Sequence, residues 1–250
     1  MAIQRKVLWI VNMDTAAQES AFMNHVSASG VDTVCIRTSS TRLASSISSF
    51  KAKNLSVWAW RWPSINPHSA MAEAEKVAKV LIPAGLEGYV VDPESDKAGD
   101  SNDWNSSTHA GLAQDFCQTI TQAAPAGFLF GTTSGCKYPS PTGKPDIPWD
   151  KFFAASQALY PQCYWRANLG TVKDINGGTP GSAIKRGLGA WAPKSQGKPI
   201  IPMAGEIDLV TVAEIKAYGA ELENRNITEA HFYADTPKVS APVLKAISQI

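Results

Sequence analysis

The stretch GYVVDPESD (residues 88–96) sets two carboxylates, Asp92 and Glu94, on either side of a proline where an apolar run ends. Side chains alternate along a strand, so both acids point to the same side of it. Pro93 cannot donate a hydrogen bond to a neighbouring strand and therefore belongs where pairing ends. The stretch predicts a buried strand with a pair of acids at its carboxyl end. Further on, Asp96 is interpreted as a loop or helix-capping residue.

Runs of the same kind recur along the whole chain, with helical spacing between them. The eight candidate strands are 6–14, 31–39, 55–63, 87–95, 127–135, 158–166, 199–207 and 230–237. Because each parallel strand needs a crossover helix, this alternation predicts an α/β fold, a single-domain (β/α)8 TIM-type barrel spanning 1–250. The competitor is a doubly wound open sheet, but no glycine-rich phosphate-binding turn follows a strand. Long loops are expected at 135–150 and 166–182.

Composition narrows the classes of partner. The chain has 250 residues, 44% of them hydrophobic, and a net charge of +1. A nucleic-acid binder would show a basic stripe, and a membrane span needs about 20 consecutive apolar residues, so neither partner is expected. The first apolar run reaches Asn12 without a small-residue cleavage site, which argues against a signal peptide. We expect synthesis in the cytoplasm and action on the cell wall after lysis or specialised export.

The cysteines and histidines give no sign of a cofactor or metal. The four cysteines lack a C-x-x-C pair and are interpreted as buried free thiols of a reducing compartment. The four histidines lack ligand spacing, so no metal site is predicted.

In a barrel of this kind the active site lies at the carboxyl ends of the strands. The predicted strand ends carry acids, arginines and aromatic residues: Asp14, Arg37, Trp60, Arg61, Trp62, Asp92, Glu94, Gln162, Tyr164, Trp165, Glu206, Tyr233 and Asp235. Acids that act on a glycosidic bond and flat rings that stack on sugar faces are typical of a carbohydrate cleft. Some of these residues have structural interpretations as well. Asp14 fits a helix N-cap equally well, and Arg37 fits a simple ion pair with a rim carboxylate.

With these residues in place, the chain resembles glycoside hydrolase family 25, the lysozyme-type muramidases. The resemblance rests on Asp14 after the first strand, Asp92-Pro93-Glu94 after the fourth and Asp235 after the eighth. It implies that Glu94 is the general acid, that Asp92 assists the reacting centre, and that Asp14 and Asp235 shape the floor of the cleft. The proline between the acids and the WAWRW run depart from the family pattern and leave room for another barrel glycosidase.

The leading hypothesis is a retaining glycosidase acting on the glycan strand of peptidoglycan or another N-acetylated polysaccharide. The substrate-binding residues would be Trp60, Trp62, Arg37, Tyr164, Trp165, Glu206 and Tyr233. Three alternatives stay open. One is a chitinase-like enzyme in which Tyr164 holds the substrate acetamide, and another pairs Glu94 as acid with Glu206 as nucleophile. The third is a carbohydrate-binding protein without turnover. The sequence does not identify a delivery machinery or an immunity protein as partner.

Overall fold

Eight parallel strands close into a barrel in the computed structural model, which describes residues 2–95 and 97–250. The barrel strands are β1 (Arg5–Ile10), β2 (Thr33–Arg37), β3 (Ser56–Arg61), β4 (Gly88–Val91), β5 (Leu129–Gly135), β6 (Ala158–Gln162), β9 (Met203–Ala204) and β10 (Glu229–Asp235). Their order around the barrel is β1-β10-β9-β6-β5-β4-β3-β2. Each overlaps one of the runs identified in the sequence, and the predicted (β/α)8 barrel is confirmed.

Helices cover the outside of the barrel and alternate with its strands. They are α1 (Ala16–Ser29), α2 (Leu43–Lys51), α3 (Pro67–Lys76), α4 (Ala110–Ala123), α5 (Trp149–Ala155), α6 (Pro180–Trp191), α7 (Val212–Asn224) and α8 (Ala241–Ser248). Short 3-10 turns lie at Ser107–His109 and Ala192–Lys194, and a π-helical turn at Val77–Leu81 continues α3. Within the described residues, no helix has both the length and the apolar character needed to span a bilayer.

Local sequence signals explain where α1 begins and ends. Thr15 caps its first turn by accepting from the Gln18 amide, and the Gln18 side chain returns the bond to the backbone of Thr15. Gly30 ends the helix at φ 60, a left-handed conformation that glycine adopts without strain. The helix cap is therefore Thr15 and not Asp14.

The segment expected as a loop at 166–182 contains a two-stranded antiparallel hairpin, β7 (Arg166–Asn168) and β8 (Val172–Asp174). Arg166 holds the base of this hairpin, because its guanidinium reaches Asp174 at 2.7 Å and Glu214 on α7 at 2.6 Å. The strands are only three residues long and show no apolar alternation, so periodicity could not reveal them.

Large rings fill the barrel interior, and glycines on neighbouring strands make room for them. Trp58 lies against Gly88, where a Cβ atom would be 2.8 Å from its indole, and Tyr160 lies against Gly131, where the distance would be 2.5 Å. Alternation of large and small inward residues is how a small barrel packs its core. Because side chains alternate along a strand, the inward direction of these rings also determines which later residues of the same strands point inward at the rim.

A polar chain of contacts crosses the lower half of the interior. The Trp9 indole N–H donates to His231 Nδ1 at 3.0 Å, so the ring proton resides on Nε2 and is donated to Glu229 Oε1 at 2.6 Å. Glu229 also pairs with Arg5 at 3.1 Å. Burial acts to raise the pKa of Glu229, but its bonds to His231 and Arg5 outweigh burial and hold the pKa below the usual value.

Strand β10 contains an irregularity that changes the direction of its last residue. Leu8 of β1 pairs with Phe232, but Ile10 pairs with Asp235, so two residues of β10 lie opposite Trp9 alone. Such a bulge reverses the inward and outward alternation beyond it. Asp235 therefore shares the outward direction of Ile10 and does not face the interior.

All four cysteines are buried and free, as predicted. Cys35 lies in β2 and Cys117 in α4, whereas Cys136 and Cys163 directly follow β5 and β6. These last two lie side by side beneath Gly187 of α6.

Helix α6 can approach the barrel only because residue 187 is glycine. A Cβ atom there would lie 2.2 Å from Cys163 Sγ, whereas a Cβ atom at Gly189 of the same helix would meet nothing within 4 Å. We expect Gly187→Ala to lower the free energy of unfolding by about 1–3 kcal/mol through overpacking. Gly189→Ala should raise it by up to about 1 kcal/mol, because alanine is the better helix former. Urea unfolding of both variants measures the difference.

A double-mutant cycle separates the clash from helix propensity. Adding Cys163→Ala should recover much of the loss in the Gly187→Ala background, because the clashing sulfur is gone. Equal stability of the two glycine variants would contradict the close approach.

Candidate active site

A cavity of about 420 Å³ opens at the carboxyl end of the barrel strands. Its lining comes from the ends of six strands and the loop after β4: Trp9, Trp60, Trp62, Asp92, Glu94, Asn102, Gln162, Tyr164, Met203, Glu206 and Tyr233. This is the end at which barrel enzymes carry their active sites. Seven of the eleven lining residues are among the site residues predicted from sequence.

The acids on either side of Pro93 both line this cavity. The Asp92 amide extends the strand pairing by one residue through a 2.8 Å bond to the Arg61 carbonyl. Beyond it, the Pro93 carbonyl accepts from Ser134 Oγ at 2.7 Å, and the Glu94 carbonyl accepts from the Trp104 amide at 2.9 Å. The backbone is thus fixed through the whole turn. Asp92 is almost fully buried, whereas Glu94 is half-buried.

One amide group joins the two carboxylates. Gln162 Nε2 lies 3.1 and 3.3 Å from the two oxygens of Asp92 and 3.4 Å from Glu94 Oε1. An amide donates hydrogen bonds without adding charge, so it orients both acids without fixing either as the partner of a cation. Gln162 stood at a predicted strand end, but glutamine has no chemical signature that would have singled it out. The position of Gln162 opposite Gly135 in the pairing of β6 with β5 is the signal that could have singled it out.

A third carboxylate, Glu206, lines the cavity after β9. Burial, assisted by the nearby charge of Asp208, raises its pKa, and a backbone bond to Asn168 of the β7–β8 hairpin partly opposes the shift. Its proton is therefore held more tightly than that of an exposed glutamate.

Two tyrosines form one wall of the cavity. Tyr164 and Tyr233 are stacked with ring centroids 5.3 Å apart and an interplanar angle of 10°. Gly205 makes room for the pair, because a Cβ atom there would lie 2.5 Å from the Tyr164 ring. Burial is the main cause that raises the pKa of both phenols, and the charges of Asp92 and Glu94 add to it. Both hydroxyls therefore stay protonated and are able to donate.

Tryptophans form the floor and the opposite wall. Trp60 is buried, packs on Trp9 at 5.5 Å and on Trp62 at 5.3 Å between centroids, and Trp62 is half-buried at the cavity edge. Arg37 lies over the Trp62 ring at 5.0 Å and donates to Asn12, and Arg61 lies over the same ring at 5.1 Å. Neither arginine is part of the cavity lining.

Besides Arg37, three predicted site residues lie outside the cavity lining. Asp14 is exposed and accepts from the Thr41 amide at 2.9 Å, which ties the loops after β1 and β2 together. Trp165 is buried outside the barrel against Tyr218 of α7, because it is one residue out of phase with the inward Tyr164.

Asp235 is the third, and it is turned outward by the irregularity in β10. Its carboxylate contacts His25 Nδ1 of α1 at 2.7 Å, beneath a separate cavity of about 390 Å³. Burial raises its pKa to about 6, an effect that the bond to His25 partly offsets. Of the acids that carry the family 25 resemblance, Asp92 and Glu94 meet in the central cavity, and Asp14 and Asp235 do not.

Four lining residues were not assigned from sequence: Trp9, Asn102, Gln162 and Met203. Trp9 and Met203 come from the barrel interior, and Asn102 from the loop after β4. Within the described part of the chain, no cluster of three or more His, Cys, Asp or Glu residues is arranged to hold a metal ion.

The sequence matches no protein-family model and no curated protein. Solved structures do share the fold. A spore cortex-lytic enzyme from Bacillus cereus aligns with a TM-score of 0.68 at 8% identity, covering 97% of this chain and 73% of its own. A chitinase from Bacteroides thetaiotaomicron aligns at 0.65 and 9% identity, covering 99% and 96%. A chitinase from Rhizomucor miehei aligns at 0.64 and 10% identity, covering 98% and 100%. At these identities the likeness establishes the fold: this chain is a (β/α)8 barrel of the form found in those hydrolases.

Proposed function

We propose that this protein is a glycosidase that cleaves N-acetylated glycans, with the glycan strand of peptidoglycan as its preferred substrate. The observation that carries the proposal is the Asp92–Gln162–Glu94 arrangement, in which one amide spans two carboxylates inside an aromatic cavity. Structural likeness to chitinases and to a cortex-lytic enzyme supports it.

The proposed roles follow from burial and position. Glu94 is the more open of the two acids, so it protonates the leaving oxygen as the bond from that oxygen to the anomeric carbon breaks. Asp92, deeper in the cavity, accepts from the N–H of the 2-acetamido group as the acetamido oxygen attacks the anomeric carbon. Water then attacks the same carbon as its bond to the acetamido oxygen breaks, and the water gives a proton to Glu94, which restores the acid and leaves the product with retained anomeric configuration.

The cavity walls suit an N-acetylated sugar. The protonated Tyr164 and Tyr233 hydroxyls are donors for the acetamide carbonyl, and Trp60 and Trp62 offer rings for sugar faces. The double-displacement alternative needs Glu206 to be ionised as a nucleophile. Its raised pKa works against that role, and this favours assistance by the substrate's own acetamide.

The first test removes the acid. We expect Glu94→Gln to lower kcat/KM by about 10³-fold, because general acid catalysis is worth roughly 10²–10⁴. Release of reducing ends from purified cell walls and from chitin oligomers measures the rate, and circular dichroism checks the fold. The matched control is Glu75→Gln on the exposed face of α3, which should keep the parental rate. A parental rate in Glu94→Gln would contradict the assignment. Binding of glycan without turnover by the wild type would favour the carbohydrate-binding alternative.

The second test separates the two mechanisms. Under acetamide assistance, Asp92→Asn should lose about 10²-fold or more in kcat, and Glu206→Gln should stay within about tenfold of the parent. Glycans whose acetamido groups have been removed should resist cleavage, because the attacking oxygen is gone. Loss of all turnover in Glu206→Gln, together with cleavage of the deacetylated glycan, would instead support the Glu94–Glu206 pair.

A further inference from the structure

A second cavity of about 400 Å³ adjoins the candidate active site. Gln162 and Tyr164 line both cavities, so the two form one cleft with the Tyr164 ring between them. The rest of the second lining comes from the loop after β5 and from the segment after the β7–β8 hairpin. We call this second cavity the basic extension, for the residues described next.

The charge of the extension is opposite to that of the central cavity. Lys137 and Lys144 line it, and no carboxylate among the described residues does, whereas three described carboxylates line the central cavity. Among residues 2–95 and 97–250, neither lysine side chain makes an ion pair or a hydrogen bond. The carboxylate oxygens of Asp103 accept hydrogen bonds from Ser95 Oγ at 2.6 Å and from the Gly99 amide at 2.8 Å, and these bonds lower its pKa. The positive charge of Lys144 makes a smaller contribution to the same shift.

The loop that carries the lysines is fixed in place. The Lys144 amide donates to the Tyr138 carbonyl at 2.7 Å, and the Lys144 carbonyl accepts from the Trp149 indole at 2.9 Å. Gly143 crosses so close beneath that a Cβ atom there would lie 2.2 Å from the Lys137 carbonyl. The backbone that carries both lysines is therefore held in one conformation before any ligand binds. This reduces the conformational entropy that the loop loses on binding.

We infer that the basic extension is a glycan subsite for a carboxylate-bearing substituent, so that the enzyme prefers acidic N-acetylated glycans to neutral ones. This inference rests on the proposed function. Two ammonium groups that make no hydrogen bond or ion pair with the described residues, at one end of a sugar cleft, match an anion on the substrate. A singly charged carboxylate fits better than a doubly charged phosphate, because Asp92, Glu94 and Glu206 line the adjoining cavity and repel the larger charge more strongly.

The test compares two soluble substrates that differ in charge. One is the N-acetylglucosamine hexasaccharide, which is neutral, and the other is a peptidoglycan glycan strand from which an amidase has removed the stem peptides, so that its lactyl carboxylates are free. The measured quantity is the ratio of kcat/KM on the acidic glycan to kcat/KM on the neutral glycan. We expect Lys137→Met combined with Lys144→Met to lower this ratio by about 10–100-fold, because bonds to charged groups are worth that factor. Lys144→Arg should preserve most of it.

Two controls make the outcome decisive. Lys185→Met, on the exposed face of α6, should leave the ratio unchanged. Added salt should lower the ratio in the wild type and have little effect in the double variant, because salt screens the attraction. An unchanged ratio in the double variant overturns the subsite and leaves the proposed function standing, provided that the wild type cleaves either glycan. If the wild type cleaves neither glycan, the proposed function and the subsite are overturned together.

Discussion

In the closed barrel, side chains alternate between inward and outward directions along each strand, and the rest of the structure depends on this constraint. Bulky side chains must point inward to fill the barrel. The side chain two positions later points in the same direction, at the rim of the barrel. Trp60 inside is followed by Trp62, Val90 by Asp92, and Tyr160 by Gln162. The cavity lining is therefore the next layer of the barrel core, built from residues that can meet water and substrate.

Electrostatics divides the cleft into distinct regions. On one side of Tyr164, three carboxylates face a small volume with a neutral amide between two of them, and no described lysine or arginine joins the lining. On the other side, two lysines line a cavity to which the described residues contribute no acid. Arg37 and Arg61 both lie over the Trp62 ring, at 5.0 and 5.1 Å, and neither lines the cavity. Among the described residues, the two parts of the cleft thus differ in the sign of the charges that line them.

Residues whose position follows from periodicity could be predicted from sequence, and residues whose position follows from an irregularity could not. Pro93 and two-residue alternation were enough to place Asp92 and Glu94 at the rim, and apolar runs were enough to give all eight barrel strands. Asp235 was expected at the same rim, but one extra residue in β10 reversed its direction. No local signal in AHFYAD marks that extra residue. Gln162 lay at a predicted strand end, but its role as donor to both acids was not assigned, because that role exists only once β4 and β6 flank β5.

The indole N–H groups of Trp9 and Trp60 are both used inside the protein, one by His231 and the other by the Ile10 carbonyl at 3.2 Å. The base of the cleft consequently presents carbon to a ligand and has no donor from these rings to offer. Under the proposed function, the upright walls therefore distinguish sugar hydroxyls from acetamides, and the base selects only for a flat ring face. A flat ligand ring stacked on this base can turn about the axis perpendicular to its plane, so contacts with the walls determine its orientation.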